Sequence, residues 1–149
     1  MIKSALFTAC AMVLAAPAFA NTPAEAPISA PGPEAPLSGT LREAAGKRAA
    51  MALIIPGSGP TDRDGDNLLI GKAGTYRLLA EGLAAQGIAS VRIDKRGMFG
   101  SRAAVADPNA VTIPDYVSDI ASWVSAIRAQ TGAPCVWLIG HSEGGLVAL

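Results

Sequence analysis

The chain has 149 residues, 50% of them hydrophobic, and its 12 basic residues balance its 12 acidic residues. The length suits one domain with a sizeable core and is too short for two. A net charge of zero indicates no basic face, so we expect no nucleic acid among the partners.

The first 20 residues have the pattern of a secretory signal peptide. Lys3 precedes a short apolar run, Ala5 to Ala16, and Ala18-Phe19-Ala20 forms the small-x-small pattern that signal peptidases cut. The run is shorter than a bilayer-spanning helix requires. We therefore expect cleavage after Ala20, export to the periplasm or the medium, and no membrane span in the mature chain.

Residues 21–36 are rich in alanine and proline, which predicts an extended linker outside any sheet. The folded domain is expected over residues 37–149. Cys135 would be the only cysteine of the mature chain, so no internal disulfide could form in an oxidising compartment. Its apolar surroundings predict a buried thiol.

Four segments after the linker predict strands. The weakly alternating LSGTLREA, which starts at Leu37, predicts an edge strand. The apolar runs AAMALIIP (49–56), IASVRID (88–94) and PCVWLIG (134–140) predict strands that are buried on both faces, as in parallel sheets.

Helices are expected between these strands. The first has apolar positions at Tyr76, Leu79 and Leu83. Gly87 is placed to end it. The second should begin at a capping box of Thr112 and Asp115 and end at Gly132, and its apolar face comprises Tyr116, Ile120, Trp123, Val124 and Ile127. Strands that alternate with helices predict an α/β fold with a parallel sheet.

The pentapeptide Gly140–Gly144 fits the pattern G-x-S-x-G and lies between the last predicted strand and a further helix. That setting is typical of a nucleophile elbow, which holds its serine in strained dihedral angles above the sheet. Glycines at 140 and 144 would let strand and helix approach closely around Ser142. The alternative is a Gly-Ser turn that opens an ordinary helix.

An acyl-transfer site also needs two N–H donors for the developing oxyanion. The backbone amide of Glu143 is the natural first donor. The second should come from the loop PGSGP (56–60), where Ser58 is the candidate through its backbone. The alternative is that this loop is only a tight turn.

Other motifs do not predict metal or cofactor sites. DRDGDN (62–67) has its glycine misplaced for a calcium loop and predicts a polar turn. GDNLLIGKA (65–73) departs from a phosphate-binding loop, and no G-x-G-x-x-G follows a strand. Asp94 and Arg96 should fix their loop by ion pairs, with direct substrate contact as the alternative.

Taken together, GHSEGG, IPGSGPTDRDGDN and RIDKRGMFGS make the chain resemble the N-terminal half of an α/β-hydrolase, close to exported esterase-like and serine-aminopeptidase-like branches. The resemblance implies a parallel-sheet α/β-hydrolase fold truncated after the elbow. It also implies Ser142 as nucleophile, with the Glu143 and Ser58 amides as oxyanion hole. The implied activity is a serine hydrolase for esters or related acyl compounds, with a small-molecule acyl substrate and no cofactor. Alternatives are a serine aminopeptidase-like peptidase, or a non-catalytic fragment or binding module.

The resemblance has two departures. Pro56 stands where many relatives carry a histidine before the oxyanion glycine, and the loop DKRGMFGS (94–101) is one residue longer between its glycines than the common form. Both leave the substrate pocket undefined.

The catalytic base is not found among these residues. The order in this fold is nucleophile, acid, histidine, and the only histidine is His141. Adjacent side chains at a strand end point in opposite directions, so His141 is not expected to reach the Ser142 hydroxyl. We expect the acid and base beyond Leu149, and the 149-residue chain alone to be inactive and prone to aggregate. A truncated hydrolase is favoured over a half-domain with another use, because PCVWLIG would otherwise form a long apolar sheet edge.

Overall fold

The computed structural model describes residues 23–149, so the predicted signal peptide and its cleavage site lie outside the described residues. The elements in chain order are β1 (Glu25–Ala30), β2 (Leu37–Arg42), β3 (Ala50–Ile55), α1 (Thr75–Ala85), β4 (Ile88–Ile93), α2 (Ile113–Thr131), β5 (Trp137–Gly140) and α3 (Glu143–Ala148). Two short 3₁₀ helices, Phe99–Ala104 and Pro108–Ala110, lie between β4 and α2. No helix within residues 23–149 combines the length and apolar character that a membrane crossing requires.

The five strands form one sheet in the order β1-β2-β4-β3-β5. Strands β4, β3 and β5 are parallel to one another, as expected for an α/β fold. Strands β1 and β2 run antiparallel to their neighbours. The predicted α/β class is therefore confirmed, and the sheet is mixed rather than wholly parallel.

Strand β1 lies inside the stretch that the sequence predicts to be a linker, and that prediction is wrong for Glu25–Ala30. The strand pairs with β2 along its whole length, with Pro27 opposite Thr40. A proline lacks the N–H that a ladder uses, so it is tolerated in a strand with a free outer side. The edge position belongs to β1, and the prediction that β2 is an edge strand is wrong.

Helices α2 and α3 cover one face of the sheet, and α1 covers the other. The first face holds the larger core, which includes Leu53, Val91, Trp123, Ile127 and Val147. The second holds a smaller cluster of Ile54, Tyr76 and Ala80. Since the strands alternate their side chains between the two faces, both helical layers contact the same central strands.

The two longer helices differ in how well the sequence predicts them. The capping box of α2 is present, with the Thr112 N–H donating to Asp115 Oδ2 at 2.8 Å and the Asp115 N–H donating to Thr112 Oγ1 at 3.4 Å. The buried residues of α1 are Tyr76, Ala80 and Ala84. The prediction of Leu79 as part of this face is wrong, because Leu79 is 40% exposed and small alanines let the helix approach the sheet instead.

Strand β5 is formed as predicted but is not buried. It is the last strand of the described sheet and pairs only with β3, so Trp137 is 67% exposed. Cys135, just before it, is also exposed, and the prediction of a buried thiol is wrong. Within the part of the chain that the structure describes, β5 therefore forms the apolar sheet edge that was expected for PCVWLIG if no further strand covers it.

Candidate active site

The turn between β5 and α3 holds Ser142 in an unusual backbone conformation. Its φ of 52° and ψ of −119° lie outside the regions that most residues with a side chain adopt. The turn is fixed on both sides: the His141 N–H donates to the Ile55 carbonyl at 3.1 Å, and the Gly144 N–H donates to the His141 carbonyl at 2.9 Å. Such strain persists only where the surrounding structure maintains it, and here β3 and α3 do so.

The glycines on either side of Ser142 are required by close backbone contacts. A Cβ at Gly140 would collide with the Gly144 carbonyl oxygen. A Cβ at Gly144 would collide with the Ile55 carbonyl and lie 2.6 Å from the Pro56 carbonyl. The G-x-S-x-G spacing therefore lets strand and helix meet at van der Waals distance, with the Ser142 side chain exposed at the top of the turn.

The loop after β3 lies directly against this turn. A Cβ on the buried Gly57 would lie 3.3 Å from the Ser142 Cβ and 3.0 Å from His141 Nδ1. The next residue, Ser58, is exposed. The Glu143 N–H belongs to the first turn of α3 and has no acceptor within the helix. The structure thus brings the loop of Ser58 to the same strand ends as Ser142 and Glu143.

Tyr76 connects the loop with the turn, a role that the local sequence pattern does not predict. Its hydroxyl accepts the Gly57 N–H at 3.2 Å and lies 2.9 Å from His141 Nδ1. The ring is buried. A tyrosine on a core-facing helix side needs a partner for its hydroxyl, and that requirement is the signal that could have identified it. His141 packs beside the elbow and contacts Tyr76.

On the opposite face of the sheet, Lys95 anchors the side chain of Glu143. Lys95 Nζ donates to Glu143 Oε1 at 2.9 Å and lies 5.0 Å from the centre of the Tyr116 ring. The Lys95 side chain is only 6% exposed. Burial raises the pKa of the Tyr116 hydroxyl, and the nearby Glu143 carboxylate raises it further. The carboxylate of Glu143 therefore stabilises the start of α3, while its backbone N–H remains at the turn.

Ion pairs fix the loops after β4 as predicted. The Asp94 carboxylate accepts hydrogen bonds from the backbone N–H of Arg63 at 2.8 Å, from the Arg63 guanidinium, and from the N–H of Gly100 at 3.0 Å. Arg96 binds Asp119 of α2 at 2.6 Å. Burial raises the pKa of the Asp119 carboxyl. The hydrogen bond from Arg96 to Asp119 raises the pKa of the Arg96 guanidinium. Asp94 thus joins the polar loop 57–67 to its own loop.

The polar loop itself is a hydrogen-bonded turn. Asp62 Oδ1 accepts the N–H groups of Asp64 and Asp66, each at 2.9 Å. Beyond this turn an open cavity of about 270 Å³ reaches the elbow, and its lining includes Asn67, Ile70, Thr75, Tyr76 and His141. The cavity is large enough for part of a small organic substrate.

Comparison with protein families gives a match to a serine peptidase family. The family model described as "Serine aminopeptidase, S33" matches residues 69–149, which include α1, α2, α3 and the elbow. No curated protein matches the chain.

Solved structures with the same arrangement are α/β-hydrolases. They include an α/β serine hydrolase without a lid from Xanthomonas campestris, at 22% identity and a TM-score of 0.62, where the match covers 84% of this chain and 54% of that one. A dienelactone hydrolase from Anabaena variabilis matches at 21% identity and a TM-score of 0.65, covering 86% and 56%. An esterase from Pyrococcus furiosus matches at 19% identity and a TM-score of 0.62, covering 85% and 46%. The chain thus spans about half the length of these structures, and the likeness shows the α/β-hydrolase fold.

Proposed function

Since the chain belongs to the serine aminopeptidase family, S33, we propose that it carries the nucleophile and oxyanion hole of a serine hydrolase. The proposed substrates are small carboxylic esters or related acyl compounds. The observation that carries the proposal is the conformation of Ser142, at φ 52° and ψ −119° between β5 and α3. An ordinary helix start has no need of this strain, whereas a nucleophile elbow does.

In the proposed reaction, Ser142 Oγ attacks the acyl carbon and its proton passes to a base. The carbonyl oxygen becomes an oxyanion, for which the backbone N–H groups of Glu143 and Ser58 are the donors. Collapse of the tetrahedral intermediate breaks the bond to the leaving group, which takes up the proton, and leaves an acyl-Ser142 ester. Water then attacks this ester and releases the acid.

We assign the acid and the base of this reaction to residues of the full-length protein outside the chain. The support is that His141 is the only histidine of the 149 residues and its Nδ1 is engaged by the Tyr76 hydroxyl at 2.9 Å. Translation of the reading frame beyond Leu149 should give an Asp or Glu followed by a His. A frame that ends without a further histidine would contradict this assignment.

Peptide hydrolysis is the second candidate function, because the family model that matches is that of a serine aminopeptidase. Both reactions use the same acyl-enzyme and differ in the leaving group, an amine rather than an alcohol. Parallel assays with p-nitrophenyl esters and with amino-acid p-nitroanilides would separate them. We expect the full-length protein to prefer the esters, and a higher kcat/KM for the anilides would favour the peptidase.

We further propose that the protein is exported after cleavage behind Ala20, which the pattern Ala18-Phe19-Ala20 supports. The mature N-terminus would then be Asn21, close to the start of β1. N-terminal sequencing of the exported product should begin at Asn21, and a product that retains Met1 would contradict export by this route.

The proposed chemistry is tested by labelling the full-length protein with a fluorophosphonate. We expect one adduct, on Ser142, and no labelling or ester turnover after Ser142→Ala. Labelling of the alanine variant to the same extent would refute the assignment.

Two variants of Ser58 test the oxyanion hole. Ser58→Ala keeps the N–H and should lower kcat by less than about threefold, whereas Ser58→Pro removes it and should lower kcat about 100-fold. Equal losses in the two variants would contradict a role for the backbone N–H.

A further inference from the structure

Tyr76 lies where three parts of the candidate site meet. It extends from α1, is only 5% exposed, and places its hydroxyl between the Gly57 N–H at 3.2 Å and His141 Nδ1 at 2.9 Å. Gly57 precedes the proposed oxyanion donor Ser58, and His141 precedes the proposed nucleophile Ser142. One hydroxyl therefore joins the two segments that must be held at a fixed separation for acyl transfer.

The protons of this junction can be assigned from its donors and acceptors. The Gly57 N–H is a donor only, so the Tyr76 oxygen is its acceptor. The Tyr76 O–H is then free to donate to His141 Nδ1, which is an acceptor only when its own proton is on Nε2. In this arrangement each of the three groups has a partner, whereas a proton on His141 Nδ1 would leave the buried Tyr76 O–H without an acceptor.

The junction also determines which N–H groups of the loop remain available. The Gly57 N–H points into the protein and is used by Tyr76, so the following N–H, that of Ser58, is the one left for an oxyanion. The loop and the elbow are tightly packed, because a Cβ at Gly57 would lie 3.3 Å from the Ser142 Cβ, closer than ordinary van der Waals contact. A shift of the loop by a fraction of an ångström would change the distance from donor to oxyanion, on which its effect depends.

We propose that Tyr76 is a positioning residue of the oxyanion hole, which holds the Gly57–Ser58 loop against the elbow through Gly57 and His141. This inference rests on the proposed function of Ser142. Tyr76 acts through the loop and need not touch the substrate. Its effect falls on the transition state, in which the oxyanion exists, and not on ground-state binding.

The test compares Tyr76→Phe with Thr131→Val in the full-length protein. Thr131 ends α2, its hydroxyl donates to the Ile127 carbonyl at 2.7 Å, and its own carbonyl accepts from Arg48, which precedes β3. This variant therefore removes a hydrogen-bonded hydroxyl at the end of the strands opposite to the elbow. For Tyr76→Phe we expect kcat for an ester to fall about tenfold, with KM changed less than about twofold. Affinity for a trifluoromethyl ketone, which forms a tetrahedral oxyanion on the serine, should fall about tenfold as well.

The Thr131→Val variant should change these three quantities less than about twofold. An unchanged kcat in Tyr76→Phe, or a rise in KM that accounts for the whole loss of kcat/KM, would overturn the positioning role. An equal loss in Tyr76→Phe and Thr131→Val would overturn it too. Full turnover in Ser142→Ala would overturn the proposed function instead, so the two failures are distinguishable.

A second measurement needs no stable Tyr76 variant. The ring nitrogens of His141 in the wild-type protein can be followed by ¹⁵N NMR at alkaline pH, with the signals assigned by their loss in His141→Gln. We expect the proton on Nε2 and an unprotonated Nδ1. A neutral ring with its proton on Nδ1 would show that Tyr76 does not donate to it and would overturn the proposal.

Discussion

The two faces of the sheet are built from different chemistry. The face under α2 is apolar, and Trp123 is fully buried there against Gly39 of β2, whose lack of a side chain makes room for the ring. The face under α1 buries the guanidinium of Arg92, which lies 3.0 Å from Glu25 and 3.2 Å from Asp64. The same strands thus carry a hydrophobic core on one side and a charged cluster on the other.

The helices α2 and α1, which cover the two faces, differ in how their first turns are capped. α2 is capped by its own Thr112. In the first turn of α1, by contrast, the N–H groups of Tyr76 and Arg77 donate to the carbonyl of Asp64 in the polar loop. The apolar face stabilises the domain by removing large side chains from water. The charged face instead connects β1, the polar loop and α1, and so holds the helix that carries Tyr76.

The largest effect is expected on the apolar face. Trp123→Ala removes a fully buried ring and leaves a cavity beside Gly39, so the free energy of unfolding should fall by about 3–5 kcal/mol. Urea denaturation of the full-length protein measures this. Trp123→Phe is the matched control and should cost clearly less. A loss below about 1 kcal/mol for the alanine would mean that the apolar face is not the main source of stability.

A smaller effect is expected from the charged face, and its sign depends on which partner is removed. Nε and Nη1 of Arg92 have no hydrogen-bond partner among the described residues, so this charge is costly to bury. Glu25→Gln removes one of the negative charges that compensate the guanidinium and should lower the free energy of unfolding by about 1–2 kcal/mol. This value already allows for solvent screening, because the Glu25 side chain is 36% exposed. Arg92→Met removes the buried charge and should stay within about 1 kcal/mol of wild type.

Denaturation of both variants at neutral pH provides the comparison. A loss for Arg92→Met greater than that for Glu25→Gln would show that the guanidinium makes a net favourable contribution. The two faces would then contribute to stability in the same way.

The smallest effect concerns pH. Burial raises the pKa of Asp64 above its ordinary value of 3.8, and this outweighs the lowering by Arg92. The folded state therefore binds the Asp64 proton more tightly than the unfolded state, so the stability from this group is greatest below pH 3.8 and falls as pH rises through the folded pKa. Wild type should lose stability relative to Asp64→Asn between acid and neutral pH. The change should be below about 1 kcal/mol, since Asp64 is 41% exposed. If wild type instead gained stability relative to Asp64→Asn as the pH rises, the desolvation of Asp64 would be contradicted.

Much of this architecture could be predicted from local sequence. The strands β3 and β4 and the capping box of α2 follow from apolar runs and a single Thr–Asp pair. Strand β1 could not be predicted, because its Pro27 is unfavourable in an isolated strand and its stability comes from a distant partner, β2. The exposure of Cys135 likewise depends on which strand lies next to β5, and local composition does not contain that information.

The candidate site likewise has one part that local sequence predicts and another part that it does not. The turn around Ser142 could be predicted because its glycines and its strand–turn–helix setting are contiguous in the chain. The contact of Tyr76 with Gly57 and His141 joins residues 19 and 65 positions apart. Lys95 and Glu143 are separated by 48 positions. Such contacts arise from the sheet order and leave only a weak signal, a polar atom on a core-facing position.

The central claim, that Ser142 is an acylated nucleophile, is tested most directly by trapping the intermediate. The full-length protein would be acid-quenched during turnover of p-nitrophenyl acetate, digested, and examined by mass spectrometry. We expect an acetyl group on the peptide that contains Ser142, absent from Ser142→Ala. Steady turnover with no acyl group on that peptide, or with the acyl group on another residue, would contradict the account.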